Sequence, residues 1–115
     1  LGANTVQELG DEFAVIELDL IQVKGKTEPV HIYALLGDES VKDSSHFESV
    51  ETTNAEMIEA YRNQQWNEAE QAALRLKADD EGLSVLADLY LSRIEDYRKS
   101  PPEEDWIGVF IATSK

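Results

Sequence analysis

Phe13-Ala14-Val15-Ile16-Glu17-Leu18-Asp19-Leu20-Ile21-Gln22-Val23-Lys24-Gly25-Lys26-Thr27-Glu28-Pro29-Val30-His31-Ile32-Tyr33-Ala34-Leu35-Leu36-Gly37 decides the fold of this chain. From Phe13 onward the side chains alternate. Ala14, Ile16, Leu18 and Leu20 share one face, and Phe13, Val15, Glu17, Asp19 and Ile21 share the other. A period of two is that of a strand with one face strongly buried, so residues 13–23 are predicted as a strand. Gly25 gives the backbone freedom for a turn. Pro29 can open a second strand, where a missing donor costs least, and that strand runs from Val30 to Leu36, closed by Gly37. Strand, short loop and strand imply an antiparallel pair. Two strands are marginal in water, so this pair needs either the helices that follow or further strands of its sheet.

On the amino-terminal side, Asn4 or Thr5 can cap a short helix ending near Gly10. On the other side, residues 38–49 are polar and rich in serine and acid, and read as a linker. The period then changes to about 3.6. Thr53-Asn54-Ala55-Glu56 has capping-box spacing and is expected to start a helix, with Met57, Ile58 and Tyr61 inward and a tight break at Gln64-Gln65. A second helix carries Trp66, Ala69, Ala72, Ala73 and Leu76 on one stripe and breaks at Asp79-Asp80-Glu81-Gly82. A third carries Leu83, Leu86, Ala87, Tyr90, Leu91, Ile94 and Tyr97 and must stop before Pro101-Pro102. The apolar end from Trp106 to Ala112 is expected to be a closing strand or a packed tail. The first two helices read as one tetratricopeptide-like hairpin, whose exposed face needs a neighbour; the third helix can supply it. The expected class is thus α+β. Residues 1–37 form the strand region, 38–49 a linker, and 50–115 a three-helix extension with a Pro-Pro and Trp tail.

The chain has 115 residues and a net charge of -14. Residues 1–37 contribute -4 and the remainder -10. Such a chain has no general attraction for nucleic acid or an anionic membrane surface, and an anionic ligand must be held by local groups. It has no cysteine, which excludes disulfides, thiolate metal sites and cysteine nucleophiles. No apolar run approaches the roughly 20 residues of a membrane helix. There is no signal-peptide pattern, and a cytoplasmic setting is expected. The opening Leu1-Gly2-Ala3 has no initiator Met, which fits a fragment and equally a processed terminus.

Against that acidity, Lys24 and Lys26 stand out, because no acid occurs from Leu20 to Thr27. A lysine in such a turn can aim its ammonium at a phosphate, a charge-assisted bond of about 1.5–3 kcal/mol. By spacing alone the same residues also fit an ordinary solvated hairpin turn, and they are not a Gly-x-x-x-x-Gly-Lys-Ser/Thr loop. Asp79-Asp80-Glu81 offers carboxylates to a hard cation but reads first as a solvated helix break, as do Glu103, Glu104 and Asp105. His31 and His46 have no second ligand at metal spacing and read as surface histidines. Trp66 and Trp106 read as core.

The whole stretch from Phe13 to Gly37 resembles the end of class III adenylate/guanylate cyclase domains, which close with an aromatic-led strand, a Val-Lys-Gly-Lys turn, Pro-Val, and an aromatic near a final Leu-Leu-Gly. Gly2-Ala3-Asn4-Thr5 resembles the short helix before that strand. Ala60-Tyr61-Arg62, Gln65-Trp66-Asn67-Glu68-Ala69, Arg93 to Tyr97, Pro101-Pro102 and Asp105-Trp106-Ile107-Gly108-Val109 resemble the helical extension of many bacterial cyclases.

The resemblance implies the last two strands of a ferredoxin-like cyclase sheet and cyclisation of ATP or GTP with pyrophosphate leaving. It also implies Mg or Mn held by two early aspartates, and a site at a homodimer interface. By that match Lys24 reaches the terminal phosphates, with Gly25 in the same turn and Lys26 a weaker helper. The family's Asn-x-x-x-Arg helix and its metal aspartates are missing from these residues, so this piece alone is not expected to be catalytic or to bind the metal. Two other readings remain for the helices. They are a docking module for a basic partner, or a structural cap that stabilises the catalytic domain.

Overall fold

The alternating stretch folds into β1 (Ala14–Val23) and β2 (Val30–Gly37), paired antiparallel. The computed structural model describes residues 2–9, 13–23 and 28–112. Pairing runs from Ala14 opposite Gly37 to Ile21 opposite Val30, and the register slips between Glu17 and Asp19. One extra residue is a bulge, and it changes the phase of the side chains beyond it. Ala14 and Ile16 are buried as the alternation requires, but past the bulge both Asp19 and Leu20 are buried and Leu18 is half-buried. The unbroken inner face expected from Ala14 to Leu20 is corrected there. Asp19 accepts a hydrogen bond from the Leu20 backbone N–H at 2.9 Å, which offsets part of the cost of burying its carboxylate.

A third strand, β3 (Phe110–Ala112), lies parallel to β1, with Phe110, Ile111 and Ala112 opposite Ile21, Gln22 and Val23. The sheet order is β2-β1-β3. The end of the chain is therefore a strand, and the chain divides into a sheet unit (Leu1–Glu48 with Val109–Lys115) and a helical unit (Ser49–Gly108). The expected 50–115 extension is corrected accordingly: from Val109 onward the chain belongs with the sheet.

Ahead of β1, α1 (Ala3–Leu9) begins slightly before its expected caps. The expected linker at 38–49 is not one. It folds into α2 (Glu39–Lys42) and the start of α3 (Ser45–Arg62). The reason is capping. Asp38 accepts the Ser40 backbone N–H at 3.0 Å. The Ser44 hydroxyl donates to the Val41 carbonyl at 2.6 Å and accepts from the Phe47 N–H at 3.1 Å. Ser44 thus caps α3, and the Thr53 box lies inside the helix, with Thr53 and Asn54 buried.

The helical unit continues α3 through α4 (Trp66–Asp79), a 3₁₀ turn (Glu81–Leu83) and α5 (Ser84–Lys99). Val50, Met57, Ile58 and Tyr61 on α3 are buried, as are Ala69, Ala72, Ala73 and Leu76 on α4 and Ala87, Tyr90 and Ile94 on α5. These are the stripes that the 3.6-residue period marks out. The α3–α4 break closes as a Schellman turn: Gln65 N–H reaches the Ala60 carbonyl at 2.9 Å and Gln64 N–H the Tyr61 carbonyl at 3.1 Å. Gln64 takes the left-handed position, with φ 61°. Asp80 accepts the Gly82 N–H at 2.9 Å, so its carboxylate caps the 3₁₀ turn.

Candidate functional site

Lys24, Gly25 and Lys26, the residues assigned to phosphate contact, lie outside the described residues, as does Thr27. Their frame is described. The antiparallel pairing ends at Ile21 and Val30, while Gln22 and Val23 continue as strand against β3. Glu28 and Pro29, on the return side, are exposed. The sheet unit carries ten acids and four lysines, and two of those lysines fall in the eight-residue connection from Gln22 to Pro29, whose sole acid is Glu28. This is where the unit's chemistry opposes an incoming anion least.

His31 is not alone. Its Nδ1 lies 2.6 Å from Glu17 Oε2 across the strand pair, and its ring sits 6.3 Å from that of Tyr33. His31 is a partly exposed surface histidine, and the register adds a carboxylate partner that its own sequence neighbours do not offer. Fourteen residues separate the pair in sequence, and only the register of β1 against β2 brings them together. The side chains are 44% and 22% exposed, so the bond braces the strand pair only modestly.

A shallow depression of about 550 Å³ in the sheet unit is lined by Phe13, Asp38, Glu39, Ser40 and Asp43. The hydrogen bond from the Ser40 side chain, with further help from backbone N–H groups, holds the Asp38 carboxyl below its ordinary range. Its three acidic side chains make it a poor phosphate site.

In the helical unit, the residues that carry the resemblance converge. The Tyr61 ring meets Tyr90 at 4.8 Å, Trp106 at 5.2 Å, Trp66 at 5.9 Å and Tyr97 at 6.0 Å. Trp66 stacks on Tyr97 at 5.4 Å, and Tyr97 meets Trp106 at 5.0 Å. Edge and offset contacts of this kind add about 0.5–1.5 kcal/mol per pair beyond burial. Burial pushes the Tyr61 phenol well above its ordinary pKa, and the nearby Arg93 guanidinium pulls the other way more weakly. Gly108 has φ +93°, and a Cβ there would run into the Arg62 side chain. Gln64 Nε2 donates to the Glu103 carbonyl at 2.9 Å. The Tyr-Arg, Trp and Asp-Trp-x-Gly-Val strings are thus parts of one packing arrangement: the aromatics fill it, and Gly108 bends the chain out of it.

Among the described residues no group of three or more His, Asp or Glu side chains is gathered to hold a metal ion. No helix among them is long and apolar enough to cross a membrane. No protein-family model, no curated protein and no solved structure matches this chain.

Proposed function

We propose that the chain is the carboxy-terminal part of a class III nucleotide cyclase, a phosphorus–oxygen lyase acting on ATP or GTP. The observation that carries this reading is the Val23-Lys24-Gly25-Lys26 junction, placed by sequence between the two strands of an antiparallel pair. The resemblance of the 60–109 strings supports it from an independent stretch. In the reaction the ribose 3′-oxygen bonds to the α-phosphorus, the bond from that phosphorus to the bridging oxygen breaks, and pyrophosphate leaves with the electron pair. The 3′-hydroxyl proton is lost to base or solvent. Lys24 stabilises the negative charge that grows on the leaving pyrophosphate, and Gly25 keeps the turn open for it. Lys26 is a secondary phosphate contact. The metal would be held by residues outside those described, as would the base-reading groups, at a homodimer interface in a cytoplasmic enzyme.

The helices, in this reading, are structural rather than a docking module. Their distinctive residues are used in their own core, and the helical unit is inserted between β2 and β3 of the sheet unit.

The test uses the protein extended upstream in its own reading frame, supplied with Mg or Mn and with ATP or GTP. The expected products are a 3′,5′-cyclic nucleotide and equimolar pyrophosphate, with nothing formed from a 3′-deoxy substrate. Release of orthophosphate and a nucleoside diphosphate, or no turnover of either nucleotide, contradicts the reading.

A further inference from the structure

We propose that the outer edge of β2 takes up an extended segment of a partner protein, whose basic leading residues sit at the acidic hollow beyond Gly37. The surface lies wholly within the sheet unit and does not rest on the phosphate role of Lys24. In the order β2-β1-β3, β2 is an end strand, and no strand lies on its outer side among the described residues. From Val30 to Leu35 its residues pair with β1 in unbroken order, so the edge is regular there. β2 has no carboxylate, lysine, arginine or proline, and these are devices by which natural edge strands are kept from pairing. Val30 and Leu35 are each 46% exposed, and no residue of β2 is buried. A regular, uncharged, apolar edge offers an added strand a ladder of backbone groups and half-open side-chain positions on both faces.

The hollow sets the chemistry of the partner. Phe13, Asp38, Glu39, Ser40 and Asp43 line a depression of about 550 Å³ at the end of the strand pair, where Ala14 faces Gly37. Among these described lining residues three are acidic and none is basic. Carboxylates beside an aromatic ring suit a guanidinium or ammonium carried on an aliphatic stem. An added strand lies about 4.8 Å from β2, within reach of an arginine or lysine side chain. Antiparallel addition, the commoner pairing, puts the leading residues of the partner at the Gly37 end. The partner segment is therefore one with lysine or arginine first and alternating β-branched residues after. A second copy of β2 fits poorly. Antiparallel self-pairing would set Glu28 and Pro29 of each copy against Asp38 and Glu39 of the other, in a chain of net charge -14.

The test titrates the 115-residue chain with a synthetic peptide, two lysines followed by alternating valine and threonine. Binding with a Kd of about 10–100 μM is expected, with amide exchange at residues 30–37 slowed on the order of tenfold. Replacing both lysines by glutamate is expected to weaken binding about tenfold, and moving them to the far end about threefold. Methylating alternate backbone amides removes the ladder donors along one edge of the peptide. One phase of methylation is expected to abolish binding and the other to leave it unchanged. No binding at about 1 mM peptide overturns the proposal, and so do equal effects of the two methylation phases or exchange that slows elsewhere but not at residues 30–37. Equal binding of the glutamate-led or end-moved peptide overturns the seat assigned to the basic residues. A dimer of the chain alone with protected β2 amides puts a second copy on the edge. Protection already present in the upstream-extended protein puts its own sheet there. Either result overturns the partner.

Discussion

The two units of this chain use their residues in opposite ways. In the sheet unit only Ala14, Ile16, Asp19, Leu20 and Phe47 are buried among the described residues, and no residue of β2 is buried. In the helical unit each of the three helices turns a full stripe inward, and the aromatic residues meet around Tyr61. The sheet unit holds the lysines that suit a phosphate, on a scaffold that is thin. The helical unit is well packed. The contrast teaches that distinctive residues need not mark a reactive site. Trp66, Trp106 and Gly108 stand out in the sequence for packing, and Lys24 for charge.

If that division is right, the largest losses of stability lie in the helical unit. Tyr61→Ala removes the centre of the aromatic cluster and is expected to cost about 3–5 kcal/mol in urea unfolding; a loss under about 1 kcal/mol would break the comparison. Gly108→Ala is next. It places a Cβ against Arg62 at positive φ and is expected to cost about 2 kcal/mol, from left-handed strain of about 1–2 kcal/mol and the displaced side chain. The alkaline limb sharpens the picture further. Burial raises the folded Tyr61 pKa above the ordinary phenol value of about 10, so above pH 10 the unfolded chain loses its phenolic proton while the folded chain keeps it. Tyr61 then contributes a stability that is fully present below pH 10 and falls by up to about 1.4 kcal/mol per pH unit above it. Tyr61→Phe is expected to flatten that slope; an unchanged slope would move its origin to another tyrosine. The smallest effect belongs to the sheet unit. Glu17→Gln weakens the exposed bond to His31 and is expected to cost about 0.2–1 kcal/mol in the same urea unfolding; a loss above about 2 kcal/mol would break the comparison.

Much of this architecture was legible in the sequence. The period of two gave β1 and β2 within a residue, because alternation survives wherever one face is buried. The helix breaks at Gln64-Gln65 and before Pro101 were read correctly because local backbone chemistry dictates them. What escaped depends on non-local or competing signals. The bulge at Leu18 is a property of the pairing, not of β1 alone, and it hid both the burial of Asp19 and the Glu17–His31 bond. Two capping signals compete at the start of α3. Ser44 wins over Thr53 because Phe47 and Val50 extend the apolar stripe of Met57 and Tyr61 by two turns. β3 reads from sequence only as one of two options, since three residues carry no period. Of the candidate site, residue type was legible and position was not: a lysine pair about a glycine names a chemistry without showing what stands opposite it.

The most direct trial of the account is Lys24→Ala in the upstream-extended protein, with turnover and thermal unfolding measured on the same sample. The account predicts a fall of about a hundredfold in kcat/KM for the nucleoside triphosphate, as for loss of one preorganised charge at a leaving group, with the unfolding midpoint within about 1 °C of the parent. A kcat/KM equal to the parent's, or a fall matched by loss of folded protein, contradicts it.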